Sequence, residues 1–385
     1  MKILLTTAGF PPAYLGGGPI RTIEAMLKAA PDRHEVLVLT SNHDLGCQER
    51  LVEDNADWVD TGTALVRYVD RGARAWAAAL RQGLAARPDA VYLNSLFSPR
   101  YSLSVIAALR ARPSIPLVIA PRGELSPGAL AIKSGKKRAF LALLRSGGFV
   151  SRAVWHASAA LEAEDIRRVF GADARVIVRE DDTDLPSRAS LLEATAGRDE
   201  VRPLRVVFMS RLSPKKGLHV LLEALGAVTA QVEVTVVGPE EDRAYAARCR
   251  AAAAELPGNV RVRFTGAVPH ERMRPVLAGF DVMALPTAGE NFGHVIAEAL
   301  SVGCPLLLTD TTPWSDLVTR HRAGEILPDQ DPWRWAQALD RHAAAGPRRW
   351  RETRERAAQA YDDWRGEGRR PHFFDLLEQA LTRGA

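Results

Sequence analysis

Residues 282–305 read VMALPTAGENFGHVIAEALSVGCP. Its apolar start predicts a buried strand ending at Leu285, and its polar middle predicts a loop through Gly293. The remainder predicts a helix that Gly303 and Pro305 end, because glycine adopts the left-handed terminal conformation and proline cannot continue a helix. The stretch is therefore one strand–loop–helix unit of a parallel α/β sheet.

The same alternation of short apolar runs and longer amphipathic stretches extends along nearly the whole chain. It predicts an α/β fold with two Rossmann-like, doubly wound domains facing across a cleft, with ligands at the carboxyl ends of the strands. The predicted strands of the first half are Lys2–Thr7, Glu35–Thr40, Ala90–Asn94, Leu117–Ala120, Ala153–His156 and Arg175–Val178. Those of the second half are Leu204–Ser210, Glu233–Val237, Val260–Phe264, Val282–Leu285, Pro305–Thr309 and Glu325–Leu327. Only helices are predicted after about Pro328.

A polar, acid-rich segment without a clean period separates the two halves of this pattern. The predicted organisation is therefore a first domain at 1–180, an interdomain linker at 181–203 and a second domain at 204–369.

The 385-residue composition, with 46% apolar and 25% charged residues, is that of an ordinary globular protein. Its three scattered cysteines lack CxxC spacing, which argues against a disulfide framework or structural zinc and favours a reducing compartment. No stretch approaches the roughly 18 apolar residues that span a bilayer. We therefore expect a cytoplasmic protein that contacts the membrane only peripherally.

Positive charge is concentrated in residues 61–152, which hold 15 lysines and arginines against three acids. This favours an anionic surface or substrate, and the alternative is a set of solvated helix faces. No nucleic-acid motif accompanies the charge, so no nucleic-acid partner is expected. Lys133, Lys136, Lys137 and Arg138 interleave with apolar residues, as in an interfacial helix that touches anionic lipid or a lipid diphosphate. A basic surface helix packing one apolar stripe on the domain is the alternative.

Two motifs that follow predicted strands suit phosphate chemistry. Arg211 and Lys216 bring a guanidinium and an ammonium to a strand end, as a diphosphate leaving group needs in the absence of a metal. The alternative is a basic helix start on the surface. Gly17 and Gly18 precede a helix, where backbone N–H groups can approach an anion, although a plain turn is the alternative. Neither G-x-G-x-x-G nor a Walker motif is present.

The loop and helix predicted within residues 282–305 carry two carboxylates. Glu290 lies in the loop, where it can accept hydrogen bonds from sugar hydroxyls beside the amides of Asn291, Phe292 and Gly293. Glu298 lies more than one turn inside the helix, at a distance that suits another part of the same ligand, such as a ribose diol. The alternative makes Glu290 a helix-start acid and places Glu298 on a solvated face.

The spacing Glu290-x7-Glu298 within GENFGHVIAEALSVGCP, preceded by SRLSPKKGLHVLLEAL, resembles the family 4, or group 1, glycosyltransferases of the two-domain GT-B fold. The segments GGGPIRTIEAM, PRGELSPGALAIKSGKKRAFL and WHASAALEAEDIRRVF are similar to the branch that builds bacterial surface polysaccharides. The resemblance implies that a C-terminal helix, 370–385, packs back on the first domain.

The resemblance also implies an activity. It is sugar transfer from a UDP- or GDP-linked donor with retention of configuration and without metal or cofactor. The implied acceptor is a glycan or a polyprenyl-diphosphate-linked glycan. The implied roles are diphosphate stabilisation by Arg211 and Lys216, donor-sugar binding by Glu290, ribose binding by Glu298, and approach to the diphosphate by Gly17 and Gly18.

The chain departs from this family in two places. Arg122 stands where many members have a histidine, and it and Glu124 are candidate contacts to the sugar or acceptor. The interdomain segment 178–186, usually an Asn-Gly-hydrophobic-Asp turn, reads VREDDTDLP. Hinge geometry and donor fit are the properties we expect this segment to affect.

Two other functions stay open on the sequence alone. One is a different GT-B enzyme acting on nucleotide-sugars, such as a 2-epimerase. The other is a non-catalytic homologue that binds nucleotide-sugars. His294 and Glu298 are spaced to ligate zinc, but HExxH is absent, and without G-x-S-x-G serine hydrolysis has no support.

Overall fold

The computed structural model describes residues 1–53, 57–131, 134–146, 148, 150–191, 202–366 and 371–382. The chain forms two compact units. The first comprises Met1–Asp184 with Arg370–Ala385, and the second comprises Leu185–Arg369.

The change of unit falls inside the segment predicted as a linker, 181–203, rather than across it. Asp181 is buried in the first unit, whereas Leu185 belongs to the hydrophobic core of the second. The amide of Ser190 donates to a carbonyl of the second unit at 2.9 Å. Residues 192–201 of the predicted linker lie outside the described residues.

Eight described strands form the sheet of the first unit: β1 (Lys2–Thr6), β2 (Glu35–Ser41), β3 (Val59–Asp60), β4 (Leu65–Val69), β5 (Ala90–Leu93), β6 (Leu117–Ile119), β7 (Val154–Ala157) and β8 (Arg175–Val178). Their order is β3-β4-β2-β1-β5-β6-β7-β8. Only β3 and β4 are antiparallel among these pairs. The parallel strands therefore end at one side of the sheet, its carboxyl edge.

Helices cover both faces of this sheet: α1 (Gly18–Lys28), α2 (Ala73–Ala85), α3 (Ser104–Leu109), α4 (Pro127–Ala131), α5 (Ser134–Ser146) and α6 (Ala160–Phe170). Successive residues of β1 point to opposite faces. Leu4 accordingly packs in one core with α2 and α3, while Ile3 and Leu5 pack in another with α1. This confirms the predicted doubly wound arrangement.

The second unit repeats the arrangement with six parallel strands. They are β9 (Leu204–Met209), β10 (Val232–Val237), β11 (Val260–Gly266), β12 (Val282–Leu285), β13 (Leu306–Thr309) and β14 (Gly324–Leu327). Their order is β11-β10-β9-β12-β13-β14. The helices are α7 (Leu218–Leu225), α8 (Arg243–Ala254), α9 (His270–Ala278), α10 (His294–Leu300), α11 (Ser315–His321), α12 (Pro332–Ala344) and α13 (Pro347–Gly366).

The last helix, α14 (Phe373–Thr382), packs in the core of the first unit. Phe373 stacks on His156 with ring centroids 3.7 Å apart and meets Tyr92 edge-on at 5.7 Å. Asp375 accepts a hydrogen bond from Arg33 at 2.6 Å. The C-terminal segment is thus joined to the first sheet by aromatic packing and an ion pair.

Every predicted strand is present, with ends shifted by no more than two residues. Two strands that precede α2 in the gap between β2 and β5, namely β3 and β4, were missed. β4 is short and contains Arg67, and it forms because β2 offers it a parallel edge. Gly18, which was expected to precede the helix, is the first residue of α1, because Pro19 fits the first helical turn.

The helices are amphipathic or charged rather than uniformly apolar. The 20-residue helix α13 reads PRRWRETRERAAQAYDDWRG. Within the described residues, no helix combines the length and apolar character that crossing a membrane requires.

Phe373→Ala should destabilise the first unit by about 3–5 kcal/mol, because it removes a fully buried ring and leaves a cavity. Urea unfolding followed by circular dichroism measures the loss. Leu161→Ala, at a side chain that is 51% exposed on α6, is the control and should change stability by less than about 0.5 kcal/mol. Equal losses of stability in the two variants would contradict the conclusion that Phe373 packs α14 into the core of the first unit.

Candidate active site

The loops after β9 and β12 meet at the carboxyl edge of the second sheet, because these strands are neighbours. Gly217 has φ of 78°, and a Cβ there would lie 1.8 Å from the carbonyl oxygen of Pro286. Only glycine satisfies both the left-handed backbone and the space. The close approach brings the turn that contains Lys216 beside the loop Pro286–Gly293, here named the Glu290 loop.

Lys216 and Glu290 form a buried ion pair. The Nζ of Lys216 donates to Oε1 of Glu290 at 2.7 Å and to Oε2 at 2.8 Å. Their side chains are only 14% and 7% exposed. Sequence reasoning assigned the two residues to different parts of one ligand, and the structure brings them into direct contact.

Electrostatics keep this pair ionised. Burial alone would raise the pKa of Glu290, but the positive charges of Lys216 and Lys215 outweigh it and hold that pKa below its ordinary value. The backbone is fixed as well: the Glu290 amide donates to the Thr311 carbonyl at 3.0 Å, and the Ala288 amide donates to the Lys215 carbonyl at 2.8 Å. The carboxylate therefore has a set position at the strand ends.

An aromatic cluster anchors the end of the Glu290 loop. The ring of Phe292 is buried and packs on Trp314 at 5.4 Å and on Trp364 at 6.1 Å. The indole N–H of Trp314 donates to the carbonyl oxygen of Phe292. Asn291 and Gly293 are half-buried, and Gly293 caps α10 with φ of 83°. Phe292 therefore has only its backbone to offer a ligand.

Arg211 follows β9 and pairs with an acid that sequence reasoning did not consider. Its Nη1 donates to Oε1 of Glu241 at 2.6 Å, and both side chains are about one-third exposed, at 32% and 38%. Exposed ion pairs contribute little to stability. Arg211 can therefore leave Glu241 for an anionic ligand at little cost in free energy.

Glu298 lies on the buried face of α10, so the alternative that placed it on a solvated face was wrong. Its side chain is 1% exposed, and its Oε1 lies 3.4 Å from Nδ1 of His270 at the start of α9. His270 itself is 39% exposed. The role of Glu298 at a ribose stays a prediction.

The glycine turn lies at the carboxyl edge of the first sheet. Gly17 has φ of 68° and immediately precedes Gly18, the first residue of α1. The Gly17 amide donates to the carbonyl of Tyr14, and the carboxylate of Asp44 accepts from the amides of Tyr14 and Leu15 at 2.9 and 3.2 Å. The turn therefore has a fixed backbone.

Arg122 is buried at the centre of a polar network in the first unit. Its Nε donates to Asn94 Oδ1 at 2.8 Å, its Nη2 donates to the Tyr92 hydroxyl at 2.8 Å, and its Nη1 donates to Asp181. The hydroxyl of Thr22 on α1 donates to the other oxygen of Asp181 at 3.0 Å. The side chains of Arg122 and Asp181 are 6% and 4% exposed.

Charge and burial set the protonation of this network. Burial alone would lower the pKa of Arg122, but the charge of Asp181 raises it. Burial pushes the pKa of Asp181 upward, and Arg122 opposes that rise. Burial and Arg122 hold the pKa of His156 well below its usual value, so the ring is neutral. The Tyr92 hydroxyl then donates to His156 Nδ1 at 2.7 Å, and Nε2–H donates to the Arg179 carbonyl at 2.9 Å.

Glu124 is also engaged within the protein. It accepts from the Ser95 hydroxyl at 2.9 Å and the Leu96 amide at 2.6 Å. Burial raises its pKa, and these hydrogen bonds oppose the rise. Glu124 and Arg122 thus bind protein groups in this structure, and their contact with sugar or acceptor stays a prediction.

Sequence reasoning missed Asp181 and Trp314 as parts of these sites. Asp181 stood among several acids of an apparent linker, and no local signal separated it from them. Trp314 lies in a loop after β13, and its indole N–H donates to the carbonyl of Phe292, 22 positions away. Neither contact has a sequence signature.

In the basic segment, Lys137 points inward. Its Nζ donates to the carbonyl of Ala129 at 2.6 Å and lies 5.1 Å from the ring centroid of Phe97. Its charge is therefore held against the first unit.

The rest of α5 divides into two faces. Leu141 and Leu144 are buried in the core, which is the apolar stripe of the alternative interpretation, while Arg138 is exposed. Lys133 and the side chain of Lys136 lie outside the described residues.

Both units match known family models. The first matches the model described as "Glycosyl transferase 4-like domain" over residues 17–180. The second matches "Glycosyl transferases group 1" over residues 203–344. Each match lies within one unit of the structure.

Curated relatives include two proteins named D-inositol 3-phosphate glycosyltransferase. The one from Xylanimonas cellulosilytica is 33% identical over 210 residues, covering 51% of this chain and 49% of the relative. The one from Corynebacterium urealyticum is 33% identical over 139 residues, covering 34% and 33%. The chain therefore spans about a third to a half of these relatives.

A solved structure covers the whole chain. The crystal structure of Anabaena HepE in complex with UDP and glucose has a TM-score of 0.70 and 19% identity, covering 100% of this chain and 99% of that one. This likeness shows the fold. Because the two family models together cover most of the sequence, one in each unit, the chain belongs to the family 4, or group 1, glycosyltransferases with the GT-B fold.

Proposed function

We propose that the protein transfers a glycosyl group from a nucleotide-diphosphate sugar to an acceptor hydroxyl. The buried Lys216–Glu290 pair at the carboxyl edge of the second sheet is the observation that carries the proposal. Its ammonium suits the diphosphate, and its carboxylate suits the sugar hydroxyls. Arg211, which forms an exposed ion pair with Glu241, supplies a second cation.

In the proposed reaction, the bond between C1 of the sugar and a diphosphate oxygen breaks as the acceptor oxygen bonds to C1. The acceptor proton passes to an oxygen of the leaving diphosphate. The configuration is retained, as the resemblance implies. Arg211 and Lys216 stabilise the negative charge that develops on the diphosphate, so the proposal needs neither metal nor cofactor.

The donor in this proposal is UDP- or GDP-linked, and the Anabaena HepE complex with UDP and glucose supports the first. Glu298 is assigned to the ribose, and the amides of Asn291, Phe292 and Gly293 to the diphosphate or sugar. Gly17 and Gly18 approach the diphosphate in the same proposal.

Two acceptors are compatible with the observations. A lipid-linked glycan of surface polysaccharide biosynthesis, reached by peripheral contact with the cytoplasmic membrane, is supported by the resemblance and by exposed Arg138, Leu143 and Arg145 on α5. A phosphorylated polyol is supported by the relatives named D-inositol 3-phosphate glycosyltransferase.

Glu290→Gln should lower transfer by at least about 100-fold, because it removes the charge that positions the donor sugar and leaves Lys216 buried without its partner. The measurement is nucleoside diphosphate release from UDP-, GDP- and dTDP-sugars with a crude lipid or polyol phosphate acceptor.

Glu233→Gln is the matched control, because Glu233 is half-exposed near the amino end of β10. Its rate should equal that of the wild type. Release of diphosphate at the same rate from Glu290→Gln would contradict the role of the pair. Epimerised sugar nucleotide as product would favour the 2-epimerase alternative, and no turnover despite nucleotide binding would favour the non-catalytic one.

The lowered pKa of Glu290 predicts a flat acid limb of the pH profile. A carboxylate with a depressed pKa loses its charge only as pH falls through that lower value, so kcat/KM for the donor should stay constant between about pH 7 and pH 5. Initial rates across this range test it. A fall in Glu290-dependent activity near pH 6 would show that the carboxyl is not held ionised by the lysines.

Charge reversal on the exposed face of α5 tests membrane contact. Arg138→Glu with Arg145→Glu should abolish flotation with phosphatidylglycerol vesicles, because anionic headgroups attract this face. Arg348→Glu with Arg349→Glu on α13 makes the same charge change elsewhere and should float like the wild type. Failure of the wild type to float would reject the contact.

A further inference from the structure

A cluster of guanidinium groups at the carboxyl edge of the first sheet has no part in the proposed donor chemistry. Arg50, Arg71 and Arg100, here named the arginine cluster, come from the loops after β2, β4 and β5. Arg50 and Arg100 reach the turn that joins β4 to α2, and Arg71 extends from that turn.

Two of these side chains reach the turn from other loops. The Nη2 of Arg100 donates to the Gly72 carbonyl at 2.8 Å and lies 3.4 Å from the Asp70 carbonyl oxygen. The Nη2 of Arg50 donates to Oδ2 of Asp70 at 2.8 Å. Their guanidinium groups therefore share one three-residue turn.

The third arginine belongs to the turn and reaches outward. The Nη2 of Arg71 donates to the Cys47 carbonyl at 2.6 Å, and its Nη1 donates to the side-chain oxygen of Gln48. Both acceptors lie in the loop after β2, which also carries Arg50. The three loops are thus tied together by arginine side chains.

The charges in this cluster do not balance. Asp70 pairs with Arg50, whereas the contacts of Arg71 and Arg100 are to neutral carbonyl and amide oxygens. The Nε2 of His43 also lies 3.8 Å from the Asp70 carboxylate, and an imidazole carries no negative charge. Within the described residues, the assembled cluster therefore carries more positive than negative charge.

Neutral partners hold the guanidinium groups of Arg71 and Arg100 in place without cancelling their charge. Arg100 also lies over two rings, 5.8 Å from the centroid of Trp76 and 5.9 Å from that of Tyr101. A guanidinium presents five N–H donors in a rigid fork, so donors beyond those used here are available to phosphate oxygens. Like charges held on neighbouring segments repel one another, and a bound anion would relieve that repulsion.

The position also suits a ligand. Ligands of doubly wound sheets bind outside the carboxyl ends of the strands. The arginine cluster lies at that edge of the first sheet, as does the Gly17 turn after β1, which is the neighbour of both β2 and β5.

We propose that the arginine cluster binds a phosphate group carried by the acceptor. This inference rests on the proposed transferase function and adds the class of its second substrate: a phosphomonoester or diphosphate of a polyol or of a lipid. Arg71 and Arg100 contact the phosphate oxygens, and Arg50 with Asp70 holds the turn between them.

The test is calorimetric titration of the full chain with inorganic phosphate, with UDP present to fill the diphosphate site proposed for the second unit. Arg71→Gln should weaken phosphate binding by about threefold, and Arg71→Gln with Arg100→Gln by at least about tenfold. Arg81→Gln is the matched control, because Arg81 is an exposed residue of α2, the helix that follows the turn. Its phosphate affinity should match that of the wild type within about twofold.

Arg71 is exposed, so its single variant is informative even if loss of the Arg100 ring contacts impairs folding of the double variant. Wild-type affinity in Arg71→Gln, or an equal loss in Arg81→Gln, would overturn the proposal. The titration requires no turnover, so a protein that binds phosphate at the cluster but transfers no sugar would support this site while contradicting the transferase.

The source of the phosphate is distinguished by a second arm. This arm uses phosphatidic acid vesicles, which present a phosphomonoester on a lipid, and variants that all carry Arg138→Glu with Arg145→Glu so that α5 does not bind them. Vesicle binding by that background protein and by its Arg81→Gln form, but not by its Arg71→Gln, Arg100→Gln form, would assign the phosphate to a lipid. Loss of soluble phosphate binding in the double variant without any change in vesicle binding would assign it to a polyol phosphate. Identical behaviour of all three proteins in both arms would reject the site.

Discussion

The guanidinium of Arg122 is buried, and burying a charge without compensation would cost several kcal/mol of folding free energy. Its compensation comes from Tyr92 and Asn94 at the end of β5 and from Asp181 after β8. The ends of β5 and β6 and the segment after β8 must therefore take their places together. Asp181 extends the constraint to α1, because it also accepts from Thr22. The Arg122–Asp181 pair therefore also helps to position α1 and the glycine turn that precedes it.

This ion pair also relates the two places where the sequence departs from its family. An arginine stands in the loop after β6, and an acid-rich run replaces the usual turn after β8. In the structure, Arg122 of the first departure binds Asp181 of the second. They are accordingly one feature, since either residue alone would leave a buried charge without its partner. The same network, rather than solvent, surrounds Arg122 and sets what it can contact.

The second unit is organised on similar lines around Lys216 and Glu290. Gly217 permits the close approach of two loops, and that approach places an ammonium against a carboxylate away from solvent. The aromatic cluster around Phe292 and Trp314 then fixes the loop that carries the carboxylate. Each unit therefore presents a carboxyl edge whose backbone is fixed by glycine turns and whose charges are set by buried pairs.

The class of fold, nearly all the strands and the residues at the strand ends could be predicted from local patterns in the sequence. Buried parallel strands are continuous apolar runs, and amphipathic helices have a 3.6-residue period, so both patterns can be read along the chain. The motif Glu290-x7-Glu298 could be read for the same reason, because its spacing is local. Only the folded chain shows that β4 joins the sheet and that Glu298 is buried. The contacts of Lys216 with Glu290 and of Arg122 with Asp181 are likewise visible only there. The two ion partners in each case lie 74 and 59 positions apart, and their contact depends on how folded segments pack, which no local pattern records.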